Sequence, residues 1–556
     1  MNVGSYPFDL GAYHFPSSTS VSEAARWFDY GMVWLYGFHH EEAAECFERA
    51  AAADPSMAIA HWGIAFASGP FMNMPWVAFD DGELAHAIPL CHRAIEAAAN
   101  LCQDGGASTL EVALINALRH RFPHDDVAEL SVLQSWDRDY ADAMQQVYVA
   151  HGTQPDVATI YADALINLTP WHLWHVREGI KNPEARTDDV IATLEASLNG
   201  AGRDHIGLLH YHIHALEMSP TPDQALGSAH HLINMAPADT GHLHHMPAHI
   251  LFLTGDLKGA MDCSKRAVAA DERYIAAGGD APFYLTSICH DLHMKMYSGM
   301  HAGHYASAQS AADRMSQLLE AALPYDGKQH MVRTMEGYYS MRLHVPIRFG
   351  KWDAVINSVP PSDETVYPVS TAMHHYAMAV ALSAKRRIDD AKLAANSFYK
   401  SLEKIEPDRF FFNNLATDIL AVGESMMQGE LLYREGRYDE AFDRLEQAVA
   451  FDDALFYSEP WPWMHPPRHA LGALLMEQGQ IERACDVYLD DLGISGRIPH
   501  CKQHPNNVWA LQGLSESLTK LGDDRAAKYL NLFKEKKALS DQKIVASCCC
   551  RLEKFN

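Results

Sequence analysis

Six positions between Gly31 and Pro55 constrain what this chain can fold into. Gly31 is followed by Trp34, then by Ala43, Phe47 and Ala50, and finally by Pro55. With Gly31 set at repeat position 8, the others fall at 11, 20, 24, 27 and 32, the punctuation of a helical pair that recurs about every 34 residues. Small residues at three of these positions let two antiparallel helices approach closely. The aromatics fill the space between them, and the proline stops the second helix.

The same frame reaches other segments. Ala225 pairs with Pro237, Ala260 with Ala267, Gly429 with Ala441 and Ala448, and Gly472 with Ala484 and Tyr488, while Ala306, Ala354 and Ala391 mark further units. Turn signals at Thr254-Gly255-Asp256, Glu435-Gly436-Arg437 and Gln478-Gly479-Gln480 separate stretches of helical periodicity. The expected fold class is all-α, a tetratricopeptide-repeat-like α-solenoid of antiparallel helix pairs. An N-terminal segment is expected over 1–20, a single solenoid over 21–535 and an exposed tail over 536–556. Residues 70–200 keep helical periodicity but lose the punctuation at Phe71-Met72-Asn73-Met74-Pro75-Trp76 and Thr169-Pro170-Trp171, which predicts loops covering the inner surface.

Composition narrows the function classes. The 556 residues carry 44 Lys or Arg against 71 Asp or Glu, a formal charge of −27. The longest basic cluster is Lys385-Arg386-Arg387, so no nucleic-acid or anionic-membrane partner is expected. No run of 18 apolar residues occurs, and the opening lacks a basic region followed by an apolar one. Ten cysteines form no CxxC pair, and the Cys548-Cys549-Cys550 triplet reads as part of the exposed tail. Together these features predict a cytoplasmic protein with reduced thiols.

Among 33 histidines, two pairs share a spacing, His210 with His214 and His245 with His249. Each pair is i, i+4, which places both imidazoles on one helix face about one turn apart, the geometry by which two histidines hold one ion. The second pair follows the first by about one repeat, and both fall at positions 5 and 9 of a first helix. His290 and His293 supply a third pair, at i, i+3, one repeat later. Six imidazoles are therefore the expected metal ligands. Imidazole suits copper, iron and zinc rather than magnesium or calcium, and copper is favoured, with iron or zinc as alternatives. Glu217, one turn beyond His214, is a ligand or a partner of one. Glu217, Tyr211 and Asp291 are the candidate catalytic groups. His465 and His469 are also i, i+4 but flank Pro466 and Pro467, which marks a helix start.

At these residues the sequence resembles a family of standalone tetratricopeptide-repeat proteins found in bacteria and fungi. The resemblance covers most of the chain. It rests on Phe28 to Gly69, Pro170 to Trp174, His205 to Pro220 (HIGLLHYHIHALEMSP), Ala236 to Ile250 (APADTGHLHHMPAHI), Glu459 to Gly472 and Trp509 to Leu511. The family pattern HPGxxHxYIHxxE followed by GHLxHMPxHI carries onto His205, His210, His214, Glu217, His242, His245 and His249. Ile206 stands where that pattern has Pro, His212 where it has Tyr, and Asp291 where it has Asn. The resemblance implies the repeat fold and a histidine metal centre.

The leading functional expectation is a metal-dependent oxidoreductase that uses dioxygen on a small organic substrate. A wall rich in Trp171, Trp174, Tyr211, Met218, Met246, Met294 and Tyr297 suits an apolar or aromatic molecule. Two alternatives stand beside it. A zinc hydrolase would use the same ligands, and a non-catalytic scaffold would hold a protein partner on the same wall. Against acidic peptide termini as that partner, no Lys or Arg occurs between Leu208 and Leu253.

Overall fold

The computed structural model describes residues 3–103, 105–279, 284–322 and 329–554, with the side chains at 321, 322, 329 and 330 set aside. Helices dominate it. Strand pairing among the described residues is confined to two-residue ladders, Trp174–His175 with Ile180–Lys181 and Phe410–Phe411 with Asn414–Leu415, and one bridge between Phe71 and Met74. Contacts divide the chain into two compact units. The first is 1–175, 179–250 and 266–288; the second is 176–178, 251–265 and 289–556.

In the first unit, helix Ser22–Tyr36 packs on His40–Ala53, which packs on Ala58–Ala67, and the first of these also touches the third. Each helix meeting both its neighbour and its next neighbour is the contact pattern of stacked helix pairs. One ring sets the spacing. A Cβ added at Gly31 would lie 2.4 Å from Phe47 Cε1, and one at Gly63 would lie 2.5 Å from Phe47 Cγ. Phe47 is thus held between two bare helix backbones. Residues 70–200, expected to hold covering loops, are mostly helix, including Asp81–Cys102, Thr109–Leu118, Leu130–His151, Pro155–Ile166 and Thr187–Leu198. The chain leaves helix between Ala67 and Asp81 and between Ile166 and Thr187, apart from one short 3-10 turn at Trp76–Ala78. The N-terminal segment packs on this unit, where Asp9 N–H donates to Asp239 Oδ2 at 2.7 Å and Phe15 is fully buried.

The second unit repeats the device. Helices Pro368–Ala384 and Ile388–Leu402 pair, as do Ala416–Arg434 and Tyr438–Ala454, Pro467–Glu477 and Ile481–Asp491, and Val508–Leu521 and Ala526–Lys536. Tyr488 lies between Gly472 and Gly513, whose added Cβ atoms would fall 2.5 and 2.2 Å from its ring. The expected turns at Gly436 and Gly479 adopt φ of +80° and +76°, which a residue without Cβ adopts at little cost. The end of the chain corrects the expectation of an exposed tail. Cys548, Cys549 and Cys550 are 4–6% exposed, and Arg348 Nη2 donates to the Ser547 carbonyl at 2.8 Å. A sequence short of charge and rich in small thiols, Val545 to Cys550, is core material.

These close approaches decide the sign of a substitution. Replacing helical glycine by alanine ordinarily stabilises by about 0.5–1 kcal/mol. Gly31→Ala should instead lower the thermal unfolding midpoint, because its Cβ would occupy the Phe47 ring. An unchanged or raised midpoint in differential scanning calorimetry would contradict this packing.

Candidate metal centre in the first unit

Helix Ile206–Glu217 carries the first histidine pair and is buried along its entire length. It starts at His205, whose Nδ1 accepts the Leu208 N–H at 3.2 Å while Nε2 donates to Asp156 at 3.0 Å. Tyr36 O–H also donates to that carboxylate, at 2.6 Å, as does Tyr13 O–H. Burial alone would raise Asp156, but His205 and these hydroxyls hold its carboxyl below the usual value. Gly207 brings the helix against Ser22–Tyr36, since a Cβ there would lie 2.7 Å from the Tyr36 ring. That approach places His210 Nδ1 at 2.7 Å from the Tyr36 carbonyl, one of the carbonyls at a helix end that intrahelical bonds leave open.

The helix Ser22–Tyr36 ends in an unusual way. His39 N–H bonds to the Trp34 carbonyl at 2.9 Å, and Phe38 takes φ of +56°. The left-handed position of such a cap normally belongs to glycine, and for a bulky residue that conformation costs about 1–3 kcal/mol. The strained residue meets three imidazoles. The Phe38 ring centroid lies 4.5 Å from that of His210, 5.5 Å from His214 and 5.3 Å from His242, nearly parallel to the last two. Trp171, also left-handed at φ +63°, stands perpendicular to His214 with ring centroids 5.7 Å apart.

His210, His214 and His242 each offer a ligand atom, and these atoms lie within 4.8 Å of one another. Two tautomers are set by neighbours. The Tyr36 carbonyl can only accept, so His210 carries its proton on Nδ1. His214 Nδ1 faces Glu217 Oε1 at 2.7 Å and likewise donates. In both neutral rings Nε2 therefore holds the lone pair, as metal-ligating histidines require. The other oxygen of Glu217, a fully buried residue, lies 3.8 Å from His249 Nδ1, and His249 Nε2 approaches His245 Nε2 to 2.6 Å.

The structure alters the sequence reading at several places. His245 and His249 were expected on one helix; helix Gly241–His245 stops and Pro247–Leu253 begins after Met246, because Pro247 has no N–H to continue the ladder. His242 joins the trio, from a position that i, i+4 reasoning passes over. As expected, His290 and His293 share one helix, Tyr284–Ala302, with Asp291 between them; His290 Nε2 is 3.5 Å from Glu459 and His293 stacks on Phe412. Tyr211 turns its O–H to Asp163 Oδ1 at 2.7 Å. Burial pushes that carboxyl up to about 6 and the Tyr211 phenol well above its usual value. Glu336 is buried and paired with Arg409, and it accepts the Ser370 N–H in the first turn of helix Pro368–Ala384 at 2.8 Å. Sequence reasoning missed Tyr36 and Phe38. Phe38 gives one signal, an aromatic where a helix C-cap wants glycine.

No protein-family profile matches the chain, and no curated protein matches its sequence. Solved structures align along most of it. A human IFIT1 dimer with m7Gppp-AAAA matches over 94% of this chain and 91% of its own, at 11% identity and a TM-score of 0.31. Yeast Tom70 matches over 91% and 99%, at 13% identity and 0.32. A Naa15/Naa10 complex bound to HypK-THB matches over 92% and 70%, at 12% and 0.21. Scores of this size bear on neither activity nor partner.

Two buried histidines at the start of helix His40–Ala53 make folding sensitive to acid. Burial lowers His39 and His40 from 6.5 to about 3, so both stay neutral in the folded chain while the unfolded chain takes up protons below 6.5. Stability is complete above that value and falls on acidification, by about 1.4 kcal/mol per pH unit per ring, until the folded values are reached. Urea unfolding between pH 6.5 and 4.5 should therefore show a shallower pH slope in His40→Gln than in the wild type. Identical slopes would mean that His40 is protonated when folded.

Proposed function

We propose that the first unit binds a transition-metal ion through His210, His214 and His242, and that the chain is a helical-repeat oxidoreductase built on that centre. One observation carries the reading: three buried imidazoles share a 4.8 Å neighbourhood, and two of them are oriented by a carbonyl and a carboxylate behind them. Anchors of this kind raise ligand basicity and fix the ring, and losing one typically costs 10–100-fold in metal affinity. Three nitrogen ligands leave a coordination position available, the arrangement of catalytic rather than closed structural sites. Nitrogen ligation favours copper, then iron or zinc. Copper or iron there would supply dioxygen chemistry, and zinc would supply a hydrolytic hydroxide.

The residues around the trio have separable roles. Phe38, stacked on His214 and His242, and Trp171 beside His214 shield these rings from water and offer aromatic surface to a small apolar substrate. Glu217 holds the His214 proton on Nδ1 and neutralises charge beside His249. Burial, together with the neighbouring Asp163 carboxyl to which it donates, keeps the proton on Tyr211. A second reading rests on the helix-pair architecture itself, which commonly serves as a protein-interaction scaffold. In that case the imidazoles hold helices together and no turnover occurs.

Metal analysis of protein purified without an affinity tag separates the two. About one equivalent of copper or iron is expected in the wild type, with at least a tenfold loss in a His210→Ala, His242→Ala double variant and weaker retention in Glu217→Gln. Metal-loaded protein should then consume oxygen with small aromatic substrates. Failure to retain copper, iron or zinc after reconstitution would overturn the metal centre and leave the scaffold; zinc alone would redirect the search to hydrolysis.

A further inference from the structure

The second unit contains a separate imidazole cluster that the proposed metal centre does not use. His301 comes from helix Tyr284–Ala302, His344 and Arg348 from the two ends of helix His344–Arg348, and His469 from the first turn of helix Pro467–Glu477, with His465 just before it. All five are 3% exposed or less. Ser547 ties two of them together: its carbonyl accepts from Arg348 Nη2 at 2.8 Å, and its hydroxyl donates to the His469 carbonyl at 2.9 Å. The His301 and His469 ring centroids lie 6.2 Å apart. The Arg348 charge is among the influences that push His301, His465 and His469 down, after burial in each case.

Hydrogen bonds assign what each group still offers. Asp491 is the anchor, accepting from His469 Nε2 at 2.8 Å, from His504 Nδ1 at 2.9 Å and from Asn507 at 2.9 Å. His301 Nδ1 donates to the Tyr297 carbonyl at 3.0 Å. In the neutral rings, His469 Nδ1 and His301 Nε2 are therefore bare acceptor nitrogens, and neither meets a donor among the described residues. Both nitrogens of His465 and of His344 are also without partners there. Arg348 supplies the opposite need. Its guanidinium lies 3.8 Å from the centroid of the Trp509 ring and keeps its charge, since burial lowers it only to about 10. Its Nε and Nη1 meet no acceptor among the described residues.

A buried guanidinium with open donors is costly until an acceptor, preferably anionic, reaches it. A metal cation is disfavoured by that same charge. A simple carboxylate would satisfy the arginine but offers nothing to the bare imidazole nitrogens. A ligand that both accepts from Arg348 and donates to His301 or His469 answers both needs. We propose that the second unit binds a small oxyanion bearing its own O–H group, of the dihydrogen phosphate or bicarbonate type, between Arg348 and the rings of His301, His465 and His469.

The full-length protein tests this in two ways. Protein exchanged into chloride buffer is denatured and the released anions are quantified by ion chromatography; separately, its melting temperature is followed with inorganic phosphate, with bicarbonate and with chloride at equal ionic strength and pH 7. Either about one equivalent of released phosphate or bicarbonate, or a saturable rise in melting temperature with one of them and not with chloride, is expected, and the anion that acts identifies the source. His465→Phe, which keeps a ring but no donor or acceptor, should weaken the anion's apparent affinity at least tenfold, as should Arg348→Met. Where Arg348→Met fails to fold, His465→Phe decides. Neither release nor a saturable shift in the wild type, or an undiminished response in His465→Phe, would overturn the proposal and leave ordered water as the occupant.

Discussion

The close approach of helix backbones across a single aromatic ring is the constraint on which the rest depends. Phe47 between Gly31 and Gly63, and Tyr488 between Gly472 and Gly513, each require two helices to present no Cβ to the ring. A helix pair that tight buries its facing surfaces completely, and the next pair can stack on it only in the same register. Polar groups on the facing sides of these helices are thereby carried into the interior, while Glu23 and Arg26 on the outer side of the first helix stay exposed. Gly207 extends the same device to the helix that bears His210 and His214, pressing it on Tyr36.

Burial then dictates chemistry. An imidazole with no water must find partners for both nitrogens or lose the energy of a missing hydrogen bond. In the first unit the partners behind the rings are the Tyr36 carbonyl and the Glu217 carboxylate. Both are acceptors, so they fix the proton on the far side and turn a lone pair inward. The left-handed backbone at Phe38 and Trp171 is the price of closing the edges of this group with aromatic rings. Strain of that kind persists only where surrounding packing over-determines it, and here it is found at two residues that touch the same imidazole, His214.

How much of this could be read from the residues depends on the range of the interaction. The helix pairs were legible because Gly31, Phe47 and Pro55 encode local packing and helix ends within one repeat. The pair His210 and His214 was legible because helical periodicity alone puts them on one face. His242 entered only through the family resemblance, since it joins the trio through tertiary packing and not as a member of an i, i+4 pair. The break after Met246 was written in Pro247, and it splits a pair that simple counting had placed on one helix. The Cys548-Cys549-Cys550 run was misread as exposed, and the buried Glu336 shows the same reason. Solvent exposure is a global property, and a carboxylate that finds Arg409 or a terminus that finds Arg348 can be buried whatever its neighbours in sequence.

The two histidine clusters use the same side chain under fixed charges of opposite sign. Beside His214 and His249 stands the Glu217 side chain, whose negative charge would favour the cation proposed for that centre. Beside His301, His465 and His469 stands the Arg348 guanidinium, whose field does the reverse. Neutral imidazole is indifferent, since it can present a lone pair to a metal or share a proton with an oxyanion. On the two proposed readings, the nearest charged side chain would decide between cation and anion. Arg348 keeps its charge because a guanidinium lowered to about 10 is still protonated at neutral pH.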